Sequence, residues 1–200
     1  IPYDIDREGV SVEEEQVAIL KELRKQLSIP ISVKLSPFYS NPLNVVETMD
    51  AEGVDGFVLF NRLFEPEINI DKEEHKFPFN LSQTGDYKMS LRYIGLLYDN
   101  INANICANTG VFDGSDVVKM LLGGADCVQV VSTLYKNKIG HISKMLKDLE
   151  AWMDKHSYKS LGDFKGKLSR AKVQNPFVFK RAQYVDILMN PEEIIKQYKY

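Results

Sequence analysis

Two cysteines, three histidines and one tryptophan are all that 200 residues hold of these types, and each scarcity removes a class of function. Two thiols cannot staple a disulfide-rich secreted scaffold. Cys106 and Cys127 both lie inside apolar runs, so buried free thiols in a reducing cytoplasm are the expectation. His75, His141 and His156 show no ligand spacing with cysteines or carboxylates, which argues against a metal site. No apolar stretch approaches the roughly 20 residues that cross a bilayer. Long basic runs are missing too, and 25 Lys+Arg against 28 Asp+Glu leave a formal net charge of -3, so nothing points to nucleic acid. The opening Ile1-Pro2-Tyr3-Asp4 has neither a signal peptide's character nor an initiating methionine. It reads as the back part of something longer.

What is present alternates. The spacing of Val17, Leu20, Leu23, Arg24 and Leu27 predicts a helix over Val12–Leu27. "ISVKL" (Ile31–Leu35) is a β-branched strand ended by Ser36-Pro37, Asn44–Glu52 reads as a helix, and Gly53 is its C-cap. "GFVLF" (Gly56–Phe60) is a second strand, apolar throughout as buried parallel strands are. The polar segment Asn61–Gly85 then breaks the rhythm, as a small excursion or a short hairpin. A helix over Met89–Asn100, a strand over Ala103–Ala107, a helix over Ser115–Leu122, a strand over Asp126–Val131 and a helix over His141–Lys155 follow. Trp152, with Met145 and Leu149, reads as helix packing. The aromatic and basic stretch Ser157–Tyr200 holds no clear strand and reads as outer helices.

Four strands alternating with helices indicate parallel pairing. A doubly wound sheet would carry a Gly-rich phosphate turn at its first strand, and none is there. A (β/α)8 barrel places functional groups at the C-terminal strand ends. Here those ends carry Lys34, Asn61-Arg62, Asn108-Thr109-Gly110 and Ser132-Thr133. The expected fold is therefore α/β: the C-terminal half of a TIM (β/α)8 barrel over residues 1–156, with a helical C-terminal extension over 157–200.

A barrel's last two strands often hold a phosphate on backbone N–H groups and a helix N-terminus. Asn108–Val111 and Val131–Thr133 are suited to that, with Gly110 permitting close approach and the following helix offering its positive end. A plain βα turn with an N-cap is the other reading of Asn-Thr-Gly. Lys34 is either an edge residue reaching solvent or, by alternation with Val33 and Leu35, an inward ammonium that needs an anionic partner.

"VKLSP", "GFVLFNR" and "ICANTGVFDGSDVVKMLLGGADCVQVVSTL" resemble the second half of the dihydroorotate dehydrogenases, from about Ile29 to Met153. The resemblance implies a flavin mononucleotide (FMN) cofactor, a small planar substrate and a place in pyrimidine biosynthesis. It implies that Lys34 contacts the isoalloxazine ring, where a fixed positive charge suits the anionic reduced flavin. Asn61 would hydrogen-bond the substrate. Asn108, Thr109, Gly110 and Val111 would hold the phosphate together with Val131, Ser132 and Thr133, and Ser82–Thr84 match the neighbourhood of a Gly-Gly flavin contact. Ala107 and Thr109 stand where the family usually has glycine. Aligning Pro2 with the proline of the catalytic loop puts Ile1 at the base position, and isoleucine accepts no proton. Tyr3 and Asp4 are polar neighbours, and the catalytic residue stays unassigned. Two alternatives remain: a non-redox barrel enzyme for a phosphorylated metabolite, and an inactive fragment or assembly partner. Four strands cannot close a barrel of eight, so a separate front half or a second copy, and hence an oligomer, is expected.

Overall fold

Strands and helices alternate in the computed structural model, which describes residues 5–63, 65–76, 81–180, 183–189, 192 and 196. Helix α1 (Gly9–Gln26) leads into β1 (Ser32–Leu35), α2 (Pro42–Ala51) and β2 (Gly56–Leu59). A two-stranded excursion, β3 (Glu67–Asn69) and β4 (Glu74–Lys76), precedes α3 (Lys88–Leu97), β5 (Asn104–Ala107), α4 (Gly114–Gly123) and β6 (Cys127–Val128). Helices α5 (Ser132–Asn137) and α6 (His141–Lys155) follow, then two 3-10 turns (Leu161–Asp163 and Pro176–Phe179) and α7 (Gln183–Met189). The main sheet runs β1-β2-β5-β6 and is parallel throughout. This is the expected partial α/β barrel.

Local chemistry sets the element ends. Asn41 caps α2 by accepting from the Asn44 N–H, and Pro42 supplies the preset first turn. Two corners are built alike. In Gly53-Val54-Asp55 and Gly124-Ala125-Asp126 the glycine ends a helix at positive φ (82° and 120°), the next residue is buried, and the aspartate enters the following strand. Asp55 accepts from the Ile31 N–H at 2.7 Å while its own N–H donates to the Ile31 carbonyl. Asp126 repeats the pattern on Ile105. Its second oxygen takes the Lys165 ammonium at 2.5 Å. Asp55 thus extends the four-pair β1–β2 ladder by one step and Asp126 the two-pair β5–β6 ladder, with bonds to a charged acceptor worth about 1.5–3 kcal/mol each.

The core lies between sheet and helices. Leu35, Phe57, Leu59, Ile105 and Ala107 meet Val45, Val46 and Met49 of α2, Ile94 and Leu97 of α3, and Met120 of α4 in one buried cluster. Full burial of such side chains contributes about 1.5–3 kcal/mol each. A second cluster joins Val118, Leu121, Leu149 and Phe164, with Trp152 and Tyr158 packed against it. The chain after α6 is stitched to α3 and α4 by N–H bonds from Gly166 to Leu121, Leu168 to Leu122 and Arg170 to Gly95.

Several expectations are corrected. Helix α1 starts at Gly9 rather than Val12, and of its stripe only Leu20 is buried, Leu23 and Leu27 being about two-fifths exposed. The last strand shrinks from Asp126–Val131 to Cys127–Val128, because Asp126 is spent on the corner and an edge strand has one neighbour to pair with. Six-residue α5, under two turns long, had too short a period to be read. The polar excursion contains the hairpin alternative, β3 pairing antiparallel with β4.

Candidate functional site

In parallel pairing, register partners face the same way. Val33, Leu35, Phe57, Leu59, Ile105 and Ala107 turn to the helices. Lys34, Val58, Cys106 and Cys127 are successive register partners and form one row on the opposite face. At the C-terminal ends of these strands lies a cleft of about 230 Å³. Lys34, Asn61, Ser82, Asn108, Thr109, Gly110, Val111, Val131 and Ser132 line it, with Arg62, Leu81, Gln129 and Val130.

The polar groups are committed to different degrees. Asn108 Nδ2 (3.0 Å) and Thr109 Oγ1 (2.8 Å) both donate to the Phe60 carbonyl, tying the end of β5 to the end of β2. Ser90 Oγ donates to the Asn108 carbonyl at 2.8 Å. Thr109 and Gly110 both have φ of 74°. At Gly110 a Cβ would stand 2.5 Å from the Tyr87 nitrogen, so the start of α3 demands this glycine whether or not a ligand is bound. Ser82 donates its N–H (2.9 Å) and its hydroxyl (2.8 Å) to Ser132 Oγ. Ser132, which lines the cleft, is held in place by these two bonds. Thr133 does not line the cleft: it is fully buried, and its hydroxyl donates to the Phe112 carbonyl at 3.0 Å.

The positive end of α4 is likewise not offered to a ligand, contrary to expectation. Asp113 accepts from the Asp116 N–H and Asp116 accepts from the Phe112 N–H, both at 3.0 Å, so the helix's own carboxylates fill it. Arg62 is ion-paired with Asp86 and reaches Glu65 at 3.7 Å. Lys34 makes no ion pair among the described residues. Arg62, named at its strand end but given no role, and Gln129, absent from the sequence-derived site, both belong to the cleft. Gln129 carried the same signal as Lys34, one polar residue at the alternating position of an apolar strand.

Cys127 is exposed, which corrects the expectation that both thiols are buried. Burial, then the neighbouring Cys127 thiol, pushes the Cys106 thiol up to about 12. Ile1, Tyr3 and Asp4, around the family's catalytic position, lie outside the described residues. No group of three or more His, Cys, Asp and Glu able to hold a metal occurs among the described residues.

Complete ligand pockets run to roughly 300–1,000 Å³, so this cleft has room for one end of such a ligand. The left-handed glycine corner and the Ser132 hydroxyl fit an anionic end such as the phosphate of FMN, and the Lys34 ammonium adds a positive charge to the same cleft.

A family model described as dihydroorotate dehydrogenase matches residues 7–153. The catalytic subunit of dihydroorotate dehydrogenase B (NAD(+)) from Shouchella clausii is 25% identical over 162 residues, covering 78% of this chain and 52% of that protein. The subunit of the same name from Saccharolobus solfataricus is 28% identical over 141 residues, covering 68% and 47%. The crystal structure of DHODH from Eimeria tenella in complex with ferulenol superposes with a TM-score of 0.53 at 18% identity, covering 68% of this chain and 37% of that one. The chain thus spans about half the length of the curated relatives it matches. With the family model matching well over half of its residues, the chain belongs to the dihydroorotate dehydrogenase family.

Proposed function

We propose that this chain supplies the FMN-binding part of a flavin-dependent oxidoreductase that oxidises dihydroorotate, or a related small planar substrate, in pyrimidine biosynthesis. The observation that carries the reading is the gathering of Lys34, Asn61, the Gly110 corner and Ser132 in one cleft at the C-terminal strand ends. The flavin, when bound, supplies the hydride acceptor. Lys34 sets a positive charge against its ring, and Asn61, exposed at the end of β2, hydrogen-bonds the substrate. Asn108, Thr109, Gly110 and Val111, with Val131 and Ser132, receive the phosphate. Ser82 supports it through Ser132, and Thr133 braces the corner through Phe112. Cytoplasmic action belongs to the same proposal; no helix among the described residues is long and apolar enough to cross a membrane.

Fluorescence titration of the chain with FMN and with riboflavin, which lacks the phosphate, tests the reading. FMN is expected to be quenched saturably and to bind at least about ten-fold tighter than riboflavin, since a charge-assisted phosphate site contributes 1.5–3 kcal/mol. Equal affinities would remove the phosphate from the cleft. A second reading, a non-redox enzyme for a phosphorylated metabolite, is favoured by the size of the cleft, which suits a phosphate end alone. Saturable binding of inorganic phosphate by calorimetry, with no FMN binding, would select it.

The edges support a further part of the proposal. Strands β1 and β6 have one neighbour each in the described sheet, and unpaired edges invite additional strands. We infer that an N-terminal half-barrel or a second copy of the chain supplies them. Light scattering is expected to give a mass above the 22.9 kDa of one chain. A lone, well-folded monomer would discard the second copy.

A further inference from the structure

We propose that the groove between α3, α4 and the chain after α6 binds a small amphipathic carboxylate, an aliphatic body with one anionic head. The outer wall of the groove comes from Leu168, Val173, Val178 and Phe179, which lie beyond the family-matched residues 7–153. That wall is built onto the helices. Leu168 N–H donates to the Leu122 carbonyl and Arg170 N–H to the Gly95 carbonyl. The Phe179 ring packs over Gly95, where an added Cβ would stand 2.7 Å from it. A cavity of about 420 Å³ remains between wall and helices, within the roughly 300–1,000 Å³ of complete small-ligand pockets. Helices α3 and α4 turn Ile94, Leu97 and Met120 to the core and Leu91, Arg92 and Leu122 to the groove. They follow β2 and β5, the two central strands, so strands added at the β1 or β6 edge leave the groove open.

The lining divides into charge and apolar surface. Lys88 and Arg92, one turn apart on α3, and Lys119 on α4 supply three cations, and no carboxylate lines the groove. Lys119 Nζ is shared between Asp116 (2.9 Å) and the Tyr87 hydroxyl (2.8 Å), and Arg92 Nη2 donates to the Phe179 carbonyl at 3.0 Å. Lys88 makes no ion pair among the described residues. With Lys119 balanced by Asp116 and Arg92 tethered at Phe179, a singly charged head meets Lys88 as its free partner, and a carboxylate is that head. The body is set by the other side chains. Leu91, Leu122, Val173 and Phe179 are apolar, and Leu168 and Val178 stand open at 55% and 54% exposure. An alkyl chain laid over them leaves water, and each buried methylene tightens binding about four-fold. The groove shares no lining residue with the cleft at the strand ends, so its ligand does not depend on a bound flavin.

Calorimetric titration of the full chain with sodium decanoate, below its micellar concentration, tests it. Saturable binding is expected, with octanoate, two methylenes shorter, roughly ten-fold weaker. Decylammonium, the same body with the opposite charge, is expected to bind at least roughly ten-fold more weakly than decanoate. Lys88→Glu is expected to weaken decanoate roughly three- to ten-fold, the range for a charge reversal at an exposed rim. Lys147→Glu makes the same change of net charge at an exposed lysine of α6 outside the groove, and is expected to leave the affinity unchanged. No saturable binding, equal affinity for decanoate and decylammonium, or equal losses in the two lysine variants would each overturn the proposal. So would displacement of decanoate by FMN, which would put it in the cleft. Binding that appears only in a chain ended at Lys180 would overturn it too, because the chain's own last segment would then be the occupant.

Discussion

Replacing Gly114 by alanine is expected to cost about 2 kcal/mol and to lower the melting temperature by roughly 4–8 °C. Gly114 is the first residue of α4 and is buried where that helix crosses α6. A Cβ there would stand 2.8 Å from the Met145 carbonyl oxygen, 3.3 Å from the Leu149 nitrogen and closer still to the Asp148 Cβ. Two of the three are backbone atoms, so no rotamer change relieves the crowding and the helices must separate. Alanine's helix-propensity gain, about 0.5–1 kcal/mol, opposes this but is smaller than the 1–3 kcal/mol typical of overpacking. Gly140→Ala is the control. Nothing lies within 4 Å of its added methyl and its φ is -58°, so its stability should stay within about 0.5 kcal/mol of the parent. Thermal melts of the three proteins decide, and a Gly114→Ala chain that melts with the parent would mean that α4 and α6 are not in backbone contact.

Lys34→Ala is expected to weaken FMN binding by roughly 10- to 100-fold, the equivalent of 1.5–3 kcal/mol for a charge-assisted contact. Among the described residues its ammonium has no ion-pair partner, so removing it strands no carboxylate and should leave the melting temperature unchanged within about 2 °C. The loss is then assignable to the ligand. Lys34→Arg, which keeps the charge in another shape, should recover part of the affinity, and added salt should weaken the parent more than the alanine variant. Equal FMN affinity of parent and Lys34→Ala, by fluorescence titration, would take the ammonium out of the site.

How far the site could be read before folding depends on whether its signals are local. Lys34 stood out because a charge between Val33 and Leu35 has one place to go in a strand covered on its other face. The corner at Asn108–Val111 stood out because apolar continuity stops there and helical spacing begins. The contact of Ser82 with Ser132 joins residues 50 positions apart and leaves no local trace. Thr133 looked like its neighbour Ser132, but the first turn of α5 rotates it into the core onto Phe112. Whether the end of α4 is filled by its own Asp113 and Asp116 or kept for a ligand is decided by side-chain geometry, which no local pattern carries. The shortness of β6 was hidden for a different reason, since a ladder's length belongs to two strands and not to one.

The paired corners at Asp55 and Asp126 bear on how such a chain can change over generations. They fix strand alignment at the end of the sheet remote from the cleft, through bonds that involve no cleft residue. Asn61, Gln129 and Val131, at the other end, anchor no ladder with their side chains. Substitutions there can retune what the molecule recognises at little cost to folding, whereas Asp55 and Asp126 have almost no room to drift. Inheritable novelty and inheritable fragility are thereby kept at opposite ends of the same four strands.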